Sequence, residues 1–375
     1  MRIRCPELCL ILMLAAAAPA GAQPPTPLDL TWLYAFPGAV QGPASAISAG
    51  LGLADRWLGD EPFDNPAAAP ARGLMVAPVF LRMKRQDLPA DFRNYEENGG
   101  FLDVAGGRVA LPVRGVGVAL YAYEPVLRQE EQVFTARPDE RPRAFTSSVS
   151  ARELRAGLAL SRAWGAARLG AALEWTRRDD AYDYTERSGD PLQGERHVDL
   201  AGDGFGFQAG ARVPVSPRVT LGGALRYLPA LDLSGRQTVP TLALDRDVTA
   251  TREAGWEGGL SARVAVTEAF RVLVAAGGRT AQAWDGVGVT SGRSASWGLG
   301  IEYEEPDQPL ALRLGLGREQ QDAVPEPAAG IFGLGLGWKL DDVRLDVGVL
   351  RRSVARPGKP TSYDDRVVAG ATVGF

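Results

Sequence analysis

Leu310-Ala-Leu-Arg-Leu-Gly-Leu-Gly317 and Phe332-Gly-Leu-Gly-Leu-Gly-Trp-Lys339 decide how this chain folds. In both, every second residue is bulky and apolar, and the residues between are Gly, Ala, Arg or Lys. A period of two is that of a β-strand with two unlike faces. A soluble sandwich also alternates, but its apolar face is the interior and needs bulk packed against bulk. Here the second face is glycine and arginine, which fits a strand with lipid on one side and a lumen on the other. The same pattern recurs upstream in Val116–Tyr123, Ala167–Trp175, Phe205–Val213 and Phe270–Gly277.

Composition agrees. The 375 residues carry 41 Lys or Arg and 45 Asp or Glu, a formal charge of −4, with no general attraction to nucleic acid. Hydrophobic residues make up 45% with a mean hydropathy of −0.10, and past the leader no 18-residue apolar run exists, which excludes a helical membrane protein. Alternating strands average to neutral hydropathy and escape that test. Glycine supplies 45 of 375 residues, against a usual share of roughly 7%. At the N-terminus, Arg2 and Arg4 precede an apolar run from Leu8 to Ala18, and Ala20-Gly21-Ala22 forms a signal-peptidase pattern before Gln23. Residues 1–22 therefore read as a cleaved export signal. Cys5 and Cys9 leave with it, so the mature chain offers neither disulfide nor thiolate chemistry.

From residue 73 to 375 the alternation predicts fourteen strands, an even number that returns the chain to its starting side. They span roughly 73–85, 101–113, 115–133, 144–162, 166–186, 204–214, 217–238, 251–266, 269–284, 293–304, 309–319, 330–339, 342–352 and 364–375. Short links such as Val113–Gly115 and Leu340–Asp341 alternate with long ones such as 86–100 and 187–203. Short periplasmic turns and longer outer loops sort in this way. Trp164, Phe270, Tyr303 and Trp338 lie near short turns and Trp175, Tyr227 and Trp284 near long ones, as two interfacial girdles would; ordinary core aromatics are the other reading. Phe375 closes the last strand and resembles the C-terminal signal that the barrel-assembly machinery reads. The predicted class is all-β: a closed antiparallel transmembrane barrel in the outer membrane of a Gram-negative cell.

Fourteen strands enclose a space that leaks unless occupied. Residues 23–72 are a candidate plug, with Arg56 and Arg72 against Asp29, Asp55, Asp60, Glu61 and Asp64: two minus five, or −3. The expected lumen face holds Arg155, Arg168, Arg212, Arg226, Arg263, Arg271, Arg279, Arg313, Lys339 and Arg344 against Glu174, Glu257, Glu302 and Asp346: ten minus four, or +6. An acidic segment inside a basic lumen is one expectation; arginines paired only with neighbouring strands is the other. Arg226 and Arg313 are candidate lumen contacts for an anionic group.

Ile47-Ser-Ala-Gly-Leu-Gly-Leu-Ala-Asp55, Asp60-Glu-Pro-Phe-Asp-Asn65-Pro66-Ala67-Ala68 and Gly73-Leu-Met-Val-Ala-Pro78 together resemble the N-terminal signature of the long-chain fatty-acid transporter (FadL-type) family. Leu299–Tyr303, Leu310–Gly315 and Phe332–Gly337 are similar to its last third. The resemblance implies a fourteen-stranded barrel with an N-terminal hatch, marked here by Asn65, Pro66 and Ala67. It also implies passage of hydrophobic molecules such as fatty acids or aromatic hydrocarbons, with sideways release at a kink in the third strand. Proline cannot donate to a ladder and in a closed barrel implies a bulge or break. Pro125 falls in the third strand and Pro229 in the seventh, so Pro125 is the candidate lateral opening, a bulge above the membrane rim being the alternative.

Enzyme chemistry finds little footing. His197 is the only histidine and lies in an expected loop, no Gly-x-Ser-x-Gly occurs, and Asp179, Asp180 and Asp183 lack the spacing of a calcium loop. No metal or other cofactor is expected; the partners are outer-membrane lipid and a hydrophobic ligand. The predicted function is passive transport of small hydrophobic molecules. A docking barrel for secretion or surface attachment, or a general porin, are the alternatives.

Overall fold

A computed structural model describes residues 43–58, 61–68, 73–84, 92–97, 101–136, 143–188, 192–285, 289–322, 328–356 and 359–374. The expected export signal, Asp60 and Phe375 lie outside these residues. A five-residue helix, α1 (Ala46–Gly50), precedes fourteen staves. These are β1 Gly73–Lys84; β2 Phe92–Glu97 with Phe101–Val113; β3 Val116–Ala136; β4 Arg143–Trp164; β5 Ala167–Ser188; and β6 Leu192–Ser216. They continue as β7 Val219–Leu228 with Leu231–Val239; β8 Leu244–Arg252 with Gly255–Ala265; β9 Phe270–Arg279 with Gln282–Asp285; and β10 Val289–Ser291 with Arg293–Glu304. The last four are β11 Leu310–Asp322, β12 Ala328–Leu340, β13 Val343–Arg356 and β14 Lys359–Gly374. Each pairs antiparallel with its chain neighbours, and β14 returns to β1 from Gly73↔Gly374 to Lys84↔Tyr363, which closes the barrel.

Closure leaves no edge strand among the fourteen staves, the requirement for strands in lipid. The tight β2–β3 turn is Arg114-Gly115, with φ of 49° and 80°. Two positive φ values make the turn whose twist matches paired strands, and Gly115 supplies one without a Cβ clash.

The faces are inverted relative to a soluble protein. Leu120, Leu173 and Leu260 are 61%, 60% and 71% exposed, whereas Arg155, Glu174 and Arg226 are 1%, 1% and 2% exposed. Leu312, Leu314, Leu316, Phe332, Leu334 and Leu336 all face outward, so the oily stripe is the lipid surface.

Several staves run further than the alternation of bulky residues predicts. β6 begins at Leu192, β8 at Leu244, β10 at Val289 and β14 at Lys359. Beyond the lipid belt an outward strand residue needs only water, so Glu195, His197, Asp199 and Asp203 sit where apolar residues sit below, and the strand is disguised as a loop. His197 accordingly lies in β6, opposite Asp183 of β5. Two-residue interruptions at Pro229-Ala230, Glu253-Ala254 and Thr280-Ala281 split β7, β8 and β9 and shift the inward parity above them.

Candidate channel site: the lumen segment and the interrupted wall

Residues 43–58 and 61–68 lie against the inward faces of the staves. α1 is short and built of Ala46, Ile47, Ser48, Ala49 and Gly50, capped where Ser48 N donates to Ser45 Oγ at 3.2 Å. Ser48 Oγ donates to Asp55 at 2.9 Å, folding the following turn back on the helix. Small side chains let this backbone approach the wall, and the wall answers with glycine. A Cβ added at Gly170, Gly210, Gly222, Gly315, Gly333 or Gly348 would collide with Pro66, Asn65, Leu58, Leu51, Ala49 or Ala46 respectively. The inward glycine stripe is thus the footprint of the segment. The Trp57 indole is buried between Gly259 and Gly277, and the Trp57 backbone N–H donates to Ser261 Oγ at 3.2 Å.

Asn65 fastens the other half. Its Nδ2 donates to Trp57 O at 2.7 Å, Ala211 O at 3.1 Å and Gly223 O at 3.2 Å, and its Oδ1 accepts from Ala67 N at 2.9 Å. One buried side chain therefore ties the segment to itself, to β6 and to β7. Pro66 and Ala67 seat on Gly170. Gln208 Nε2 donates to Asp64 O at 2.7 Å, and Arg226 Nη2 donates to Phe63 O.

Charge is arranged in both senses. Glu61 of the segment pairs with Arg108 of β2, while Arg56 pairs with Glu257 of β8. Around them the wall pairs with itself. Arg226 Nε lies 3.0 Å from Glu174, and Tyr121 OH donates to Glu174 at 2.8 Å. Arg252 of β8 donates to Glu153 of β4 at 2.6 Å, and Arg155 donates to the other oxygen of Glu153 at 2.6 Å, so one carboxylate ties staves across the lumen. Arg313 lies 3.0 Å from Glu302 and 2.8 Å from Asp346. Of the two arginines singled out in the sequence, Arg226 reaches the lumen segment and Arg313 is enclosed by wall carboxylates beside Gly335 and Gly337. A cavity of about 50 Å³, lined by Arg56, Trp57, Glu257, Arg279, Ser294 and Glu319 among others, lies between segment and wall. That is far below the ~300 Å³ that holds a drug-sized molecule.

The wall itself is interrupted at Pro125. Pairing of β2 with β3 runs from Val113↔Val116 to Gly106↔Tyr123 and resumes at Glu97↔Gln132, while β3 shifts register against β4 between Tyr123 and Val126. On the inner side Tyr121 and Tyr123 end the regular part of β3, and Phe63 of the segment packs on both, with ring centroids at 6.2 and 5.4 Å. The alternating Tyr121-Ala122-Tyr123 is legible in the sequence, but its partner Phe63 is not. Pro229, the second proline, lies where β7 divides into its two segments.

No family model matches this chain, and no curated protein matches it in sequence. Solved structures match its fold. It is similar to a Pseudomonas aeruginosa FadL homologue (TM-score 0.64, 16% identity, over 90% of this chain and 99% of that one). It is also similar to the Ralstonia pickettii toluene transporter TbuX (TM-score 0.63, 11% identity, 90% and 99%) and the Pseudomonas putida toluene transporter TodX (TM-score 0.62, 14% identity, 88% and 98%). The fold is therefore that of the FadL-type channels.

Proposed function

We propose that this protein is a passive outer-membrane channel for small hydrophobic molecules, with residues 43–68 as a hatch and the gap between β2 and β3 as the exit to lipid. It acts by positioning and desolvation, as a channel and not as an enzyme. The observation that carries this reading is the interruption of β2–β3 pairing beside Pro125, with Phe63 seated on Tyr121 and Tyr123 at its inner edge. A displacement of the hatch moves the side chain that covers the break, so unplugging and sideways release are mechanically linked. Arg226, held between Glu174 and Phe63 O, is the lumen group that would meet an anionic moiety if the hatch withdrew; Arg313 lies too deep among Glu302 and Asp346 for more than a structural part. The outward apolar belt supports insertion in lipid. Residues 1–22 as a cleaved export signal and Phe375 as the contact for the assembly machinery complete the proposal.

Initial-rate uptake of labelled toluene by cells with and without the protein tests it: expression should raise the rate, and Pro125→Thr should reduce that gain. Equal rates with and without the protein would refute the channel reading in favour of a docking barrel. A high ion conductance of the wild-type protein in planar bilayers would favour a general porin; the filled lumen argues for a low one.

A further inference from the structure

The ion pairs at the wall break differ in balance from those near the short turns. Near those turns, Arg271, Arg313 and Arg344 share Glu302, Glu304 and Asp346, three against three. At the break, Arg152 Nη2 of β4 lies 2.8 Å from Asp103 Oδ2 of β2 and 2.6 Å from Glu124 Oε1 of β3: one guanidinium against two carboxylates, or −1. Those carboxylates stand on the two staves whose pairing is interrupted, so the guanidinium bars the gap. Glu124 sits at the bulge beside Pro125, is 9% exposed, and its Oε2 has no hydrogen-bond partner among the described residues. Leu102 and Val104, which flank Asp103, are exposed on the lipid side, so the crossbar lies where a molecule would pass from lumen to lipid.

We infer that this crossbar makes the side exit selective for uncharged hydrophobic molecules over carboxylates, with Glu124 as the specificity-determining residue. The inference rests on the channel reading above. A neutral molecule crossing the gap has only to part Arg152 from its partners. A carboxylate must in addition approach a surplus negative charge already short of donors. At a separation of about 5 Å and an effective dielectric of about 20, that repulsion disfavours passage on the order of a hundred-fold. Glu124→Gln removes the surplus charge and keeps an oxygen to accept from Arg152; Asp103→Asn does the same from the other stave.

The test compares initial uptake of radiolabelled toluene and radiolabelled benzoate, its carboxylate counterpart, by cells expressing wild type, Glu124→Gln, Asp103→Asn and Arg152→Met, with barrel folding confirmed by the heat-dependent gel shift. Wild type should carry toluene and exclude benzoate. Glu124→Gln and Asp103→Asn should each raise benzoate entry at least ten-fold while toluene changes less than two-fold. Arg152→Met, which leaves the surplus larger, should not raise benzoate entry. A wild type that carries benzoate as fast as toluene, or folded Glu124→Gln and Asp103→Asn variants with an unchanged ratio, would overturn the inference and leave the channel intact. Failure of wild type to carry either compound above cells lacking it would remove the channel reading, and this inference with it.

Discussion

Asn65 gives the sharpest test of how the lumen segment is held. Its Nδ2 faces three carbonyl oxygens, Trp57 O at 2.7 Å, Ala211 O at 3.1 Å and Gly223 O at 3.2 Å, and the residue is fully buried. Asn65→Ala removes these donors; at about 1 kcal/mol net per hydrogen bond, plus the loss at Oδ1 from Ala67 N, the segment loses roughly 2–3 kcal/mol of seating. Asn65→Asp preserves shape but replaces the donating amide with an oxygen aimed at the same carbonyls, and an unpaired buried charge costs about 3–5 kcal/mol. The isosteric change should therefore be the more damaging of the two, which is the reverse of the order expected if Asn65 merely fills space. A loss of ~3 kcal/mol multiplies the unseated fraction on the order of a hundred-fold.

The readout can be specific because both cysteines, Cys5 and Cys9, fall in the expected export signal, so that an introduced thiol would be unique in the mature chain. Ala68→Cys places it at a buried position of the segment. Thiol labelling in membranes should be slow in the Ala68→Cys background, faster with Asn65→Ala and fastest with Asn65→Asp, and single-channel conductance should rise in the same order. Equal labelling in all three folded proteins would refute the pinning role. Faster labelling with Ala than with Asp would show that the amide orientation is wrong.

Three further outcomes follow. Gly222→Ala puts a Cβ 2.6 Å from Leu58 Cα and should unseat the segment by about 1–3 kcal/mol, whereas Gly330→Ala, with open space around it, should leave conductance unchanged. Pro125→Thr restores an N–H to β3 and should slow toluene uptake several-fold; an unchanged rate would detach the break from transport. His197, above the lipid belt, has Nδ1 2.5 Å from Asp183 and Nε2 2.9 Å from Glu195, and hydrogen bonds to these carboxylates raise its pKa above the ordinary value. A raised folded value means that the stabilisation is fully present below the unfolded pKa of about 6.5 and is lost as pH climbs through the higher folded one. Hydrogen exchange of amides around Asp183 and His197 should thus differ between wild type and His197→Gln in acid and converge in base, by less than about 1 kcal/mol because the pair is exposed.

The barrel was legible because lipid imposes one chemical demand on every second residue: Leu310 to Gly317 and Phe332 to Lys339 alone specify two staves and their outward faces. The outer ends of β6, β8, β10 and β14 were not, since above the belt that demand lapses and only backbone pairing remains. Parity puts Arg226 and Arg313 on the inward face but does not show that they meet Glu174, Glu302 and Asp346 there. Parity says which face a side chain takes; which acids stand level with it depends on stagger around the barrel, which no single strand encodes. Arg252 was hidden for a related reason, because the interruption at Glu253-Ala254 shifts its parity relative to Glu257. The acidic-segment expectation met a mixed outcome in contacts: Glu61 reaches Arg108, but Arg56 reaches Glu257 in the opposite sense, and Asp55 bonds Ser48 within the segment.

The density of buried charge still needs a reason, because a buried ion pair is often no more stabilising than well-packed apolar residues of the same volume. In a barrel the relevant competitor is different. A strand slipped by one residue exchanges its two faces, and an apolar lumen would make the slipped and native forms nearly equal in energy. With Arg155, Glu174, Arg226 and Arg313 on the inward face, a slip would drive each of them into hydrocarbon at a cost of about 2–4 kcal/mol for an arginine at the midplane, while the outward leucines would crowd the lumen segment off its glycine footprint. Charge and glycine thus specify the same orientation by independent means, the first by what lipid rejects and the second by what residues 43–68 require. The gap at Pro125 is where that specification is locally relaxed, and there one guanidinium, Arg152, faces two carboxylates, Asp103 and Glu124.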